Sequence, residues 1–320
     1  MITMAEIAKL TNVSQPTVSR VLNGNPCVNP EIRERVLACA KEHDYQPNAL
    51  AKGMKGNKTM LLGVLLTDIS NGFFADLTRK IEAATQRRGY SIILFNSDYD
   101  VAKERACMDV MRRYRVDGIL AVPIKANLAA WPELGRQLDI PVVSITRRVE
   151  GLDSIYLDHV EAGEQIARHL IEQGYEDFLF VGEETDNKYI GFRRALAALR
   201  PDRPCAAVPE AELPALLDAR GGQNPRRLGL FVSNDVAALP VLSLLHERGL
   251  SIPEQVGVMG FDNTYMSQFL SPRLSSAAQP IEIMAERAVE RLLYRIDHPD
   301  DEQVMDESLL ATLVVRESTR

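Results

Sequence analysis

Two groups of residues in this chain carry side chains suited to recognition chemistry. The first lies near the amino terminus, where Gln15, Pro16 and Arg20 fall close together. An arginine fork matches the two acceptors of guanine, and a glutamine amide matches the donor–acceptor edge of adenine. The second group is scattered: Asp68, Thr146, Asn234-Asp235 and Asp262 each follow a short apolar run. Carboxylates and amides at such points can exchange hydrogen bonds with hydroxyls, and Phe73 or Phe74 can cover the apolar face of a sugar. Covalent chemistry has less support. No G-x-S-x-G, P-loop or G-x-G-x-x-G occurs, and no Cys–His or Ser–His–Asp set assembles. Cys27, Cys39, Cys107 and Cys205, like the histidines, lack the spacing of a metal site. No catalytic residue, metal or cofactor is therefore expected.

The elements that would position the first group are three short helices. Thr3 and Glu6 form a capping box before the apolar pair Ile7 and Leu10. Ser14 can cap a second helix, with Pro16 tolerated in its first turn and Val18, Val21 and Leu22 on one face. Asn29-Pro30-Glu31 opens a third. Two short helices joined by about three residues and covered by a third fit a helix-turn-helix, whose second helix enters the DNA major groove. They fit a plain three-helix bundle equally well.

Charge bears on that choice. The whole chain of 320 residues carries a net charge of −7, which as an average argues against nucleic acid. The average hides a division. Residues 1–58 hold eight basic and five acidic side chains, a net of +3, leaving 29 basic and 39 acidic residues, or −10, in the remainder. A small basic head on an acidic body suits a protein whose head alone meets a polyanion. Composition is otherwise that of a globular protein, with no apolar run long enough to span a membrane. No secretory signal is seen, and a cytoplasmic location is expected.

The second group sits in an alternating pattern. Apolar runs at Leu61–Thr67, Ser91–Asn96, Gly118–Pro123, Pro141–Ile145, Phe178–Gly182, Leu228–Ser233 and Val256–Phe261 read as strands. Helical spacing separates them, as in Leu77, Ile81 and Ala84. Such alternation implies parallel sheets covered on both faces, and the length suits two lobes. Ligands of open α/β sheets bind beyond the carboxyl ends of the strands, which is where the second group falls.

The head sequence Met4-Ala5-Glu6-Ile7-Ala8-Lys9-Leu10, then Val13-Ser14-Gln15-Pro16-Thr17-Val18-Ser19-Arg20-Val21-Leu22-Asn23, resembles that of the lactose/galactose repressor (LacI/GalR) family. Tyr45-Gln46-Pro47-Asn48, Ser233-Asn234-Asp235-Val236-Ala237, Gly260-Phe261-Asp262-Asn263 and Val315-Arg316-Glu317-Ser318 extend the likeness over essentially the whole chain. The resemblance implies a helix-turn-helix head at 1–47, a hinge at 48–58 and a two-lobed core at 59–320 like that of periplasmic sugar-binding proteins. One lobe would comprise about 59–157 with 279–308, the other about 158–278 with 309–320, the chain crossing near Leu157, Gln279 and Leu309. Gln15, Pro16 and Arg20 would read bases. Thr3, Ser14, Thr17, Ser19, Asn23 and Asn29 would stand at or near the phosphates. In the hinge, Asn48, Ala51, Lys52 and Lys55 would contact DNA. Met54 replaces the family's leucine as the apolar wedge between base pairs. Gly53 lowers helix propensity there by about 1 kcal/mol.

Departures from the family pattern concern the ligand. Lys188 replaces a frequent pocket arginine, Thr146-Arg147 replaces an Asp-Arg pair, and Lys125 follows the third strand. The effector site is expected to comprise Asp68, Phe73, Phe74, Lys125, Thr146, Arg147, Lys188, Asn234, Asp235 and Asp262. The effector is expected to be a sugar, sugar acid or sugar phosphate, and the three cations suggest an anionic derivative. The whole reading is a transcription regulator, a homodimer on a pseudo-palindromic double-stranded operator. No apolar heptads follow the last strand to build a tetramer. A transporter's solute-binding protein would share the body and lack the head; an α/β enzyme would turn its sugar over.

Overall fold

The computed structural model describes residues 2–45, 58–220 and 226–320. The hinge residues Asn48, Ala51, Lys52, Gly53, Met54 and Lys55 lie outside the described residues. The chain divides into two compact units, Met1–Met60 and Leu61–Arg320.

The first unit holds α1 (Met4–Leu10), α2 (Gln15–Leu22) and α3 (Pro30–Glu42). Each begins where a side chain replaces the missing turn of backbone acceptors. Thr3 and Glu6 complete their capping box, the Thr3 N–H donating to Glu6 at 2.8 Å. Ser14 caps α2 by accepting from the Thr17 N–H, and Asn29 caps α3 by accepting from Glu31 and Ile32. Ile7, Ala8, Val18, Val21, Val36 and Ala40 bury a single small core.

The second unit contains two six-stranded sheets. In the first, the order is β11 (Asp306–Leu309), β5 (Asp153–Leu157), β4 (Val142–Thr146), β3 (Gly118–Ala121), β1 (Leu61–Leu66), β2 (Ser91–Asn96). In the second it is β12 (Thr312–Val314), β10 (Ser275–Ala278), β9 (Val256–Asp262), β8 (Leu228–Val232), β6 (Asp177–Val181), β7 (Ala206–Val208). All pairs are parallel except β10 with β12. Helices α4 (Gly72–Gln86), α5 (Val101–Arg113), α6 (Trp131–Leu138) and α11 (Ile281–Asp297) serve the first sheet. Helices α7 (His159–Glu172), α8 (Asn187–Leu199), α9 (Leu213–Arg220) and α10 (Asp235–Glu247) belong with the second.

The chain passes between the sheets three times. It leaves the first after β5 for α7, returns after β10 to α11, and leaves again after β11 for β12. At the base of the first lobe Asp153 is buried. Arg291 at 3.0 Å and Arg295 at 2.5 Å hold it, and the Met305 N–H donates to it, keeping its carboxyl below the usual range despite burial. That cluster ties β5 to α11 and to the approach of β11.

One close approach sets the geometry of the second lobe. A Cβ on Gly191 would stand 1.8 Å from the Val160 carbonyl oxygen, and one on Gly163 would stand 2.1 Å from that of Lys188. Helices α7 and α8 therefore touch backbone to backbone, which brings His159 and Lys188 together at the strand ends.

Candidate functional site

Side chains from the carboxyl ends of the two sheets meet. Lys125, beyond β3, donates from Nζ to the Thr185 hydroxyl at 3.0 Å and to the Thr185 carbonyl, in the turn beyond β6. Asn71, which caps α4, is a hydrogen-bonding neighbour of Asp262 at the end of β9. Gln279, at the second crossing, donates to Asp262 Oδ1 at 2.7 Å. The Phe261 ring stacks on His159 at 5.7 Å between centroids, and Lys188 Nζ lies 4.7 Å over the same ring. Burial and the charges of Lys188 and Arg147 drive His159 well below its ordinary pKa, so the imidazole is neutral at pH 7.

The carboxylates here have different tasks. Asp262 is pushed up by burial, while Lys188, Gln279 and Asn71 pull it back. Asp235, one of the expected effector residues, has internal partners. It is almost wholly buried, and both its oxygens are engaged: Oδ2 accepts from the Thr264 N–H at 2.7 Å and hydroxyl at 3.1 Å, Oδ1 from Ser276 at 2.7 Å. Burial pushes its carboxyl up to about 7, with Asp262 adding to the rise. Through these bonds it holds the loop after β9 against β10. Asn234 is the cap of α10, accepting from the Ala237 N–H at 2.8 Å. Asp68 Oδ1 accepts from the Ser70 N–H at 2.9 Å and hydroxyl at 2.6 Å.

Other expected ligands also have structural partners. Phe73 and Phe74 are buried in the main apolar cluster, edge to face at 5.1 Å. Lys188 Nζ donates to the Ser233 carbonyl at 2.8 Å and lies 3.3 Å from Asp186. With Lys125 bound to Thr185, two of the three expected cations are committed to the second lobe. Arg147 differs, because its Nε is buried without a partner. Gln279 Oε1 is in the same condition. Thr146, just before Arg147, holds φ at +69°, which a β-branched residue rarely adopts. Such strain concentrates where a site fixes the backbone. Tyr99 joins the group: burial raises its phenol, and it feels the charges of Asp68, Arg147 and Asp262. Sequence reasoning passed over Tyr99, His159 and Gln279 as ligands, since a lone tyrosine or glutamine after a strand carries no local signal.

In the head, Gln15, Pro16 and Arg20 are exposed along α2, while Val18 and Val21 face the core. Thr3, Ser14, Asn23 and Asn29 lie at helix ends, three of them capping through the side chain. The Ser14 and Thr17 hydroxyls bond each other at 2.8 Å, and the Asn23 amide donates to Ser19 at 3.4 Å. These small polar side chains are exposed or half-buried and remain within reach of solvent. Among the described residues no metal-holding group of His, Cys, Asp or Glu occurs, and no helix is long and apolar enough to cross a membrane.

Comparison with known proteins agrees with both halves. Residues 3–48 match the model of bacterial regulatory proteins of the lacI family. Residues 59–204 match the periplasmic binding proteins and sugar binding domain of that family, and 167–319 match a periplasmic binding protein-like domain. The catabolite control protein A of Priestia megaterium is 33% identical over 298 residues, covering 88% of each chain. A periplasmic binding protein/LacI transcriptional regulator from Alkaliphilus metalliredigens, solved with D-xylulofuranose, is 28% identical with a TM-score of 0.70. It matches 82% of this chain and 99% of its own. The Lac repressor dimer, bound to operator and an anti-inducer, shares the fold with a TM-score of 0.86 at 21% identity over 99% of both chains. A head that presents Gln15 and Arg20, and two interlaced sheets that meet at their carboxyl ends, are thus a family's arrangement: this chain belongs to the LacI family of bacterial transcriptional regulators.

Proposed function

We propose that this chain is a repressor in the cytoplasm, acting as a homodimer on a pseudo-palindromic operator and released or tightened by an effector held between the body's lobes. Gln15, Pro16 and Arg20 read bases, and Thr17, Ser19 and Asn23 contact phosphates. The effector is a sugar derivative with one acidic group, a sugar acid or sugar phosphate.

The observation that carries the effector reading is a pair of buried, unpartnered polar atoms. Five such side-chain atoms occur among the described residues, and two of them, Arg147 Nε and Gln279 Oε1, stand with Asp262 and Tyr99 at the cleft. Leaving such a group unsatisfied costs about 1–3 kcal/mol. An acidic acceptor beside Arg147 and a hydroxyl beside Gln279 would relieve both. Lys125 and Lys188 then act as braces between elements, and the positive charge offered to the ligand narrows to Arg147.

A thermal-shift screen of sugars, sugar acids and sugar phosphates tests this. Acids should raise Tm more than neutral sugars do, and Arg147→Ala should abolish the difference. Stabilisation by neutral sugars alone would reject the acidic effector. A gel shift on the DNA upstream of the chain's own gene tests the regulator. Arg20→Ala should cost about 1–3 kcal/mol of binding per half-site, and turnover of a bound sugar would favour an enzyme instead.

A further inference from the structure

The second lobe carries a concentration of arginines at the opposite end of its sheet from the cleft. Asp177 and Leu228 pair there as the first residues of β6 and β8. Arg220, the last residue of α9, reaches Asp177 Oδ2 at 2.6 Å. Arg203 and Arg226 stand at 3.7 and 3.9 Å from Oδ1. Those two are ion pairs too long for hydrogen bonds. Asp202 takes Arg203 at 3.1 Å and Arg200 at 3.5 Å. Four guanidinium groups thus share two carboxylates, on a body whose net charge is −10.

These side chains border a cavity of about 460 Å³, whose accessible apolar lining includes Pro204, Leu216 and Ala219. Its size suits a small organic ligand. Arg203 and Arg220 are only 22% and 19% exposed, so their charges are partly withdrawn from water. Planar forks gathered on one side of an apolar wall match an oxyanion with several acceptors. Four guanidinium groups against two carboxylates leave an excess of positive charge beside the cavity, which a phosphate would balance.

We propose that this cavity is a second ligand site, for a small phosphate monoester, with Arg203, Arg220 and Arg226 around the phosphate and the organic part against Pro204 and Leu216. It is separate from the cleft, so its occupant adjusts the second lobe independently of the effector.

Isothermal titration of the full chain tests this, with glycerol 3-phosphate as the monoester probe and glycerol and inorganic phosphate as controls. The monoester should bind wild type and Arg147→Ala alike, glycerol should not bind, and Arg203→Gln/Arg226→Gln should weaken binding at least about tenfold. If circular dichroism shows that the double variant does not fold, the half-exposed Arg226→Gln alone should weaken it measurably. Absence of saturable binding to wild type would overturn the proposal. So would binding lost in Arg147→Ala and kept in the arginine variants, which would move the phosphate to the cleft. Inorganic phosphate binding as tightly as the monoester would overturn the assignment of an organic ligand.

Discussion

Asp235 shows how a residue can match a family's site motif and have a structural task. Its carboxyl is held near 7 because burial outweighs three donated hydrogen bonds. The sign of the resulting pH effect follows. A pKa raised on folding means the native state binds the proton more tightly than the unfolded chain does. Asp235 therefore contributes its full stability below the unfolded value near 4, and loses it as pH rises through about 7. Asp235→Asn keeps the shape and removes the charge. Its oxygen can take the Thr264 donors while its amide donates to Ser276. Tm measured from pH 4 to 8 should fall less for this variant than for wild type; parallel curves would show that Asp235 does not govern the slope. Ser14 illustrates a different double use. Its hydroxyl caps α2, so Ser14→Ala should cost about 1 kcal/mol of head stability by chemical denaturation. Any loss of operator affinity beyond that cost would measure a phosphate contact.

At the scale of elements, the crossing of α7 and α8 is the strictest constraint on the cleft. Gly191→Ala would force a Cβ against the Val160 carbonyl, and neither backbone can yield cheaply. A destabilisation of about 1–3 kcal/mol is expected, read as a lower denaturation midpoint. Effector affinity should fall with it, because His159 and Lys188 are placed by that contact. The sequence made the repeating apolar strands legible, since each buried strand is a short run of branched residues, as in Leu61–Leu66 and Leu228–Val232. It also displayed the head, where each of the three caps is local. It did not display β5, which opens with Asp153 and Ser154, or β11, which reads Asp-Glu-Ser-Leu. Asp153 is tolerated in a buried strand only because Arg291 and Arg295 arrive from a helix more than 130 residues later. Such long-range pairing leaves no local trace. The site was legible in the same measure. Strand ends pointed to Asp262, and the departure from the family's Asp-Arg pair to Arg147, whereas Gln279 and Tyr99 gained meaning only from what stands opposite them.

For the whole molecule, individual polar contacts between lobes can be altered singly. Lys125 joins the end of β3 to the turn beyond β6 through the carbonyl and hydroxyl of Thr185. Lys125→Ala should loosen the approach of the two lobes without harming either sheet. Small-angle scattering should then show a larger radius of gyration for the effector-free variant, returning to the wild-type value when a thermal-shift hit is added. An unchanged radius would mean that Asn71, Gln279 and Asp262 suffice to hold the lobes.

The threefold passage of chain between the sheets also bears on how the molecule is made. β11 is the outer strand of the first sheet and β12 the outer strand of the second, and both come from residues 306–314. A ribosome that has reached Asp306 has therefore completed neither sheet. Both lobes wait for the same short stretch of message, so a stop codon just before it leaves two unfinished edges instead of one whole lobe.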